Sequence, residues 1–420
     1  MIEAQVACRS CDANLGAPVL SLGSIPLANA LLSAEELDLP DPRYPLELVF
    51  CPRCSLVQLN VTVSPTLLYE NYVYQSSYSD SLVQHAREIS DRIAADYHLD
   101  SSSQVIEIAS NDGYLLQHYQ ARGIPALGIE PAREIATLAK QRGIETLNRF
   151  FDRTLVEQLV ADGVNADVVH AHNVLAHVSD LPGVVDGVAR LLKTDGVWIV
   201  EVPYLLDLID NTEFDTIYHE HLCYFSMTSL QYLMKSHGLR IKHVERLAIH
   251  GGSLRLFVTH EENAAESKGG GAKGRESKSV DELLELEESW GVHSAVTYQR
   301  FAAAVQDLKS ELRALLTRLK GEGRGVAAYG ASAKGTTLLN YFEVGRETID
   351  FVVDRSQVKQ GMFTPGTHLP ILAPAELMHR RPDDVLLLTW NFADEILQQQ
   401  AEYRSGGGKF IIPIPKIRVV

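Results

Sequence analysis

The sequence predicts an α/β fold in three parts: a small metal-binding lobe at the N-terminus, then two Rossmann-like domains in tandem. Three observations carry this. Cys8 and Cys11, and later Cys51 and Cys54, form two C-x-x-C pairs near the start of the chain. From Val105 to Ala132 the order is strand, small-residue turn, helix, and a second strand tipped by an acid, Glu130. From Gly325 to Asp354 the same order returns and again ends in an acid.

Length and charge bound the rest. A chain of 420 residues has room for about two to four domains with sizeable cores. A formal net charge of −16 argues against a nucleic-acid backbone as partner. No apolar run approaches the roughly 20 residues that span a bilayer, and the N-terminus lacks a basic flank before an apolar stretch. A cytoplasmic protein away from membranes is expected, as a monomer or homodimer. In that setting four of five cysteines in C-x-x-C pairs mean metal rather than disulfide.

Residues 1–65 are read as the metal lobe. The two-residue gap in each pair lets both thiolates face one ion, and two pairs complete a tetrahedral sulfur set that suits Zn²⁺ and leaves no open position. Such a site is structural. The intervening Leu22–Ala30 reads as loop. From Ser64 to Asp80 tyrosines and serines cluster, Tyr72, Tyr74 and Ser76 among them, as a packed interface or a substrate contact.

Residues 66–262 are read as the first Rossmann-like domain. A helix from about Ser79 to Tyr97 leads into the strand Val105–Ile108. The turn Ala109-Ser110-Asn111-Asp112-Gly113 has one glycine, short of the G-x-G-x-x-G that a pyrophosphate needs. An acid before the turn, Glu107, and another at the second strand's tip, Glu130, instead suit S-adenosylmethionine (SAM). Its ribose hydroxyls can be held by Glu130, and its cationic end tolerates a carboxylate. An ordinary turn without ligand is the plain alternative. Pro131, Ala132 and a helix to about Arg142 follow, then a short strand near Glu145–Leu147. Ala166–Val174 is the fourth strand, with His170, His172, Asn173 and, beyond it, His177. The spacing of the three histidines does not suit one ion, so His177 is expected to point into a cleft with Asn173 close by. Thr194-Asp195-Gly196 reads as a turn before the strand Val197–Pro203. Tyr218-His219-Glu220-His221 is too tight for H-E-x-x-H; it offers a histidine held by a carboxylate as a general base, or a polar cap for the next helix. His250-Gly251-Gly252-Ser253-Leu254-Arg255 then passes into a strand.

Residues 263–322 are read as a linker rich in glycine and lysine followed by long amphipathic helices, with Leu283, Leu284, Leu286, Phe301, Val305, Leu308, Leu312, Leu315, Leu316 and Leu319 as the apolar positions. Residues 323–420 form the second Rossmann-like domain. Its turn Gly330-Ala331-Ser332-Ala333-Lys334-Gly335 can cradle a pyrophosphate at a helix start, aided by Ser332, Lys334 and Asn391, or can merely pack two lobes.

Taken together, the paired cysteines, PLANALL, VIEIASNDGYLL, GIEPA, YHEHLCYFS, HGGSLR and AYGASAKGTTLLN, in that order over nearly the whole chain, resemble the SAM-dependent sugar C-methyltransferases that act on dTDP-4-keto-deoxysugars in antibiotic pathways. The resemblance implies a zinc lobe, a SAM methyltransferase domain and a C-terminal Rossmann-like domain, with the nucleotide sugar between the last two. It implies a cleft lined by Tyr72, His177, Tyr218, Glu220 and His221. His221 is expected as the base, oriented by Glu220, with Tyr218 as donor to an enolate oxygen or as the alternative base. SAM is expected on Glu107, Ala109, Asn111, Gly113, Glu130, Pro131 and Asn173. The sugar nucleotide is expected on Tyr74, Ser76, His250, Arg255, Ser332, Lys334 and Asn391.

Overall fold

The computed structural model describes residues 2–69, 75–249, 251–262 and 276–420. Its strands in chain order are β1 (Ile2–Ala4), β2 (Leu20–Pro26), β3 (Arg43–Phe50), β4 (Val57–Leu59), β5 (Val61–Val63), β6 (Val105–Ile108), β7 (Ala126–Ile129), β8 (Thr146–Leu147), β9 (Ala166–His172), β10 (Leu192–Pro203), β11 (Cys223–Tyr224), β12 (Leu239–Leu247), β13 (Ser253–His260), β14 (Val326–Tyr329), β15 (Val352–Val353), β16 (Ile371–Leu372), β17 (Asp384–Leu387), β18 (Lys409–Ile412) and β19 (Arg418–Val419).

A seven-stranded sheet in the order β12-β13-β10-β9-β6-β7-β8 forms the middle of the molecule. Strands β6 to β10 run parallel, and β12 and β13 close one edge antiparallel. Ile106, Val169, Trp198 and Val200 are buried on one face. On the other, Val105, Val168, Val197 and Ile199 pack with Ile89 and Ile93 of the helix Asp80–Asp96. Both faces of a parallel sheet must be covered, so its strands read as apolar runs. The turn expected at Thr194–Gly196 is strand: β10 starts at Leu192, and its register against β9 slips between Leu192 and Val197. Gly196 sits where a Cβ would come 2.9 Å from the Ala166 carbonyl, so the glycine serves close strand approach rather than a reversal.

The second Rossmann-like sheet, β16-β15-β14-β17-β18-β19, is parallel except for β19. The helices Glu276–Trp290 and Ala295–Gly321 bridge the two sheets. Phe301, Val305, Leu308, Leu312, Leu316 and Leu319 are buried along the second of these, whereas Leu286 on the first is exposed. Glu287 fixes the first helix by accepting from the Met227 and Thr228 backbone N–H groups, at 2.6 and 2.8 Å.

The N-terminal lobe carries a sheet of order β11-β4-β3-β2. Its outer strand, β11, comes from the middle of the chain: Cys223 pairs with Gln58 and Tyr224 with Val57. The stretch after His221 is thus built into the metal lobe. The lobe also meets the C-terminal domain, where Leu32 and Phe363 exchange backbone hydrogen bonds at 3.0 and 2.8 Å. Among the described residues no helix is long and apolar enough to cross a membrane.

Candidate active site

Two knuckles of the same shape make the metal site. In each, the residue after the second cysteine turns left-handed, Asp12 at φ 56° and Ser55 at φ 60°. Its N–H returns to the first cysteine's carbonyl, at 3.0 Å to Cys8 and 2.9 Å to Cys51. Cys8 Sγ lies 3.5 Å from Cys54 Sγ, and Cys11 Sγ 3.5 Å from Cys51 Sγ. All four sulfurs fall within 4.8 Å of one another. A tetrahedral Zn²⁺ with Zn–S bonds of about 2.3 Å puts sulfurs about 3.8 Å apart, so the donor set fits the ion.

The turn after β6 is strained in a way that favours a ligand. Gly113 takes its φ of 82° without strain, while Ala109 and Asn111 have φ of 53° and 50°, strain that persists only where surroundings impose it. Glu130 does so: its carboxylate accepts from Asn111 N–H at 3.0 Å and from Ala132 N–H at 2.8 Å. Asn148 holds the Glu130 and Pro131 carbonyls, each at 2.9 Å. Burial nevertheless raises the Glu130 carboxyl above its usual value. Glu107, buried beneath the turn, is raised well above the ordinary range by burial and then by the charges of Glu130 and Asp112. Four buried oxygens here lack a protein partner: Glu107 Oε2, Ser110 Oγ, Asp112 Oδ1 and, across at the end of β9, Asn173 Oδ1. A cation lined by carboxylate and amide oxygens would satisfy them, so the residues fit the sulfonium and ammonium groups of SAM. Ser76 N–H donates to Asn111 Oδ1 at 2.8 Å, so Ser76 caps this turn rather than standing apart from it.

The second polar group lies on the loop between β10 and β11. His221 Nδ1–H donates to the Thr216 carbonyl at 2.8 Å, which leaves Nε2 to accept from the Tyr218 hydroxyl at 2.9 Å. The His177 ring stands edge-on to His221, centroids 4.9 Å apart. Burial holds His177 down at about 4, so it is neutral near pH 7.

Two expectations are corrected here. Glu220 does not orient His221: the Thr216 carbonyl has that place, and Glu220 Oε1 accepts instead from Asn29 Nδ2 of the metal lobe at 2.6 Å. Burial pushes the Glu220 carboxyl up to about 7. Arg255 is not available to a sugar. Its guanidinium is 2.5 Å from Glu201 and 3.1 Å from Glu245, under the helix that carries His85. Although burial alone would raise it, His172, His85 and Arg255 hold Glu201 well below the usual carboxylate range. The histidines of β9 belong to this cluster: Tyr119 donates to His170 at 2.8 Å, His170 to His172 at 2.9 Å, and His172 Nδ1 lies 3.2 Å from Glu201. His85, His172 and Glu201 could together ligate an ion. Arg255 already places a cation against that carboxylate, however. Tyr72, Tyr74 and His250 lie outside the described residues.

In the C-terminal domain Ser332 caps its helix, accepting from Gly335 N–H at 3.1 Å. Lys334 Nζ sits 5.1 Å from the Trp390 ring centre, and Asn391 is the next residue along that turn. Trp390 Nε1–H donates to Asp215 at 2.7 Å, so this turn faces the loop that carries His221. Asn29 falls within PLANALL, yet nothing local there or around Thr216, Asp215 or Trp390 shows what each binds; only their partners do.

A model of a methyltransferase domain matches residues 82–244, one of a zinc binding domain residues 8–69, and one of a C-methyltransferase C-terminal domain residues 248–415. The C-methyltransferase NovU of Streptomyces niveus is 36% identical over 413 residues, 98% of this chain and 96% of that protein. The chain belongs to the C-methyltransferase family. Among solved structures, a SAM-dependent methyltransferase from Clostridium acetobutylicum is 13% identical, with TM-score 0.35 over 46% of this chain and 95% of its own. Magnesium protoporphyrin IX methyltransferase from Synechocystis, with bound SAH, is 15% identical, with TM-score 0.34 over 42% of this chain and 83% of its own. As a SAM-dependent C-methyltransferase, the protein uses SAM as methyl donor and zinc as a structural ion.

Proposed function

We propose that this C-methyltransferase acts on a carbon next to a ketone of a nucleotide-linked sugar, of the dTDP-4-keto-deoxysugar class that the motif order implies. The observation that carries the reading is the Tyr218–His221 pair. An imidazole with its Nδ1–H spent on a carbonyl carries its acceptor lone pair on Nε2, and that lone pair faces a phenol. When a substrate ketone oxygen accepts from the Tyr218 hydroxyl, Nε2 is released to take a proton from the adjacent carbon. The proton moves to Nε2, the electron pair of the C–H bond becomes the enolate, and Tyr218 stabilises the developing oxygen charge. Thr216 O then faces an imidazolium N–H. Bound SAM supplies an electrophilic methyl that needs no further activation. The protein's remaining task is to hold enolate carbon and methyl in line, which is where close placement contributes most. Tyr72 and His177 are assigned to holding the sugar. The C-terminal turn, with Ser332, Lys334 and Asn391, is assigned to its pyrophosphate.

The test is mass spectrometry of a panel of dTDP-keto-sugars incubated with SAM, where the substrate gains one methylene. In His221→Asn turnover falls by roughly a hundredfold or more, with SAM affinity little changed. Solvent-deuterium exchange at the substrate carbon stops with it. Exchange that survives in His221→Asn and vanishes in Tyr218→Phe assigns the base to Tyr218. A panel with no methylated product removes the sugar reading.

A further inference from the structure

The loop from Phe214 to Tyr224 is gripped at both ends by other domains. At one end β11 is a strand of the zinc lobe, Asn29 holds Glu220, and His219 Nε2–H donates to the Pro45 carbonyl at 3.1 Å. At the other end Phe214, fully buried, packs on Tyr341 and Phe342 of the C-terminal domain with ring centres 5.5 and 5.1 Å apart. Asp215 follows, also fully buried, and accepts from the Trp390 indole N–H at 2.7 Å. Thr216 comes next, and its carbonyl is the group that fixes His221 Nδ1–H. Phe214–Thr216 is a single 3₁₀ turn closed by Ile217 N–H on the Phe214 carbonyl at 3.0 Å, so what holds Asp215 also orients Thr216 O.

We infer that Asp215 and Trp390 are a positioning pair, through which the C-terminal domain keeps His221 protonated on Nδ1, with Nε2 as the acceptor facing Tyr218. This rests on the reading of His221 as the base and extends it to a residue 169 positions away (390 − 221).

A simple interdomain glue does not account for the pair. Phe214 already supplies an apolar contact between the same two domains. A buried carboxylate is a costly way to add another, because its desolvation is offset only by good hydrogen bonds and nearby charge. Asp215 Oδ1 lacks a close protein partner, so the neighbouring Lys334 charge, the indole N–H and the turn's own Asp215 and Thr216 N–H groups carry that burden. What the carboxylate offers, and an apolar residue cannot, is a directional bond that fixes the rotation of the turn. Imidazole needs that direction, since either ring nitrogen can carry the proton and the hydrogen bond made by one decides the other.

The test uses the full-length, zinc-loaded protein with SAH, labelled with ¹⁵N-histidine. The His221 ring signals are assigned by their loss in His221→Asn. Trp390→Phe keeps the ring and removes the N–H. Asp215→Ala removes the acceptor, and Asp215→Asn retains a carbonyl oxygen for the indole. Parent and Asp215→Asn should show Nδ1 protonated and Nε2 as acceptor. Trp390→Phe and Asp215→Ala should show both ring forms, with kcat on the methylated sugar falling roughly tenfold to a hundredfold and SAM affinity unchanged. Ring-nitrogen shifts identical to the parent in folded Trp390→Phe and Asp215→Ala overturn the pair's role. Altered shifts with unchanged turnover support the pair and instead overturn His221 as the base.

Discussion

The two turns that open the Rossmann-like sheets are tied in the same way and differ in what they leave over. In each, the acid at the tip of the second strand accepts from the first turn's backbone: Glu130 from Asn111 at 3.0 Å, Asp354 from Ala331 at 2.7 Å. Beyond that tie they diverge. The turn after β6 has three residues at positive φ and buried oxygens on Glu107 and Ser110 with no protein partner. The turn after β14 has positive φ at Gly330 alone, packed where a Cβ would come 2.5 Å from Thr389 Cγ2. Its Lys334, whose buried Nζ has no hydrogen-bond partner, acts on the acids of the neighbouring domain by charge alone, opposing what burial does to Glu213 and Asp215. A strand-turn-helix with an acidic tip is therefore a scaffold. Unpartnered carboxylate and hydroxyl oxygens beside the first turn suit a cationic ligand, whereas the unpartnered buried ammonium of Lys334 beside the second suits an anion or the neighbouring acids.

The largest effect should come from the zinc lobe. Cys8→Ser, or chelation of the zinc, should unfold the N-terminal sheet and with it the pairing of β11, so turnover should fall roughly a hundredfold or more. Calorimetry should find SAM affinity within about twofold of the parent. A variant free of zinc by metal analysis and fully active would detach the lobe from the chemistry.

Next come the two acids. Glu130→Ala should weaken SAM at least roughly tenfold, since it removes charge-assisted bonds of about 1.5–3 kcal/mol each. Asp354→Ala should leave SAM affinity alone and lower the thermal midpoint of the C-terminal domain. Equal loss of SAM affinity in both would erase the distinction.

A pH effect follows from Glu107. Its raised carboxyl is still protonated above the range where an ordinary carboxylate has ionised, and the protonated form does not attract a cation. SAM affinity should therefore fall as pH is lowered, starting well above 4.5, by up to about tenfold per unit. Titration calorimetry from pH 8 to pH 5.5 should show the slope in the parent and none attributable to this group in Glu107→Gln. The same slope in the variant would place the titration elsewhere.

The smallest effect is expected at Lys334. If the C-terminal turn also receives a pyrophosphate, Lys334→Ala should raise KM for the sugar nucleotide a few-fold, reduce its salt sensitivity and leave SAM binding unchanged. An unchanged KM in a folded variant would leave this turn purely an interface.

Much of the architecture could be read in one dimension because it is set by local rules. Two C-x-x-C pairs fix a tetrahedral sulfur site through spacing alone. Apolar runs ending in small-residue turns mark β6, β7, β9 and β14, because a strand buried on both faces leaves that trace. The Tyr218–His221 cluster stood out because unlike polar groups gather there. Tertiary structure decided what those groups bind. Arg255 follows two glycines into a strand and reads as a substrate contact, yet strand alternation turns it onto Glu201 and the helix of His85. Glu220, next to His221 in sequence, faces Asn29 from the other end of the chain. Adjacent side chains on an irregular loop diverge, and a buried carboxylate takes whichever donor folding brings to it. The tautomer of His221 depends on a backbone carbonyl, and that carbonyl depends on Trp390, so neither has a local signature. Spacing encodes elements and metal ligands; hydrogen-bond direction at a site assembled by three domains arises only when the domains meet.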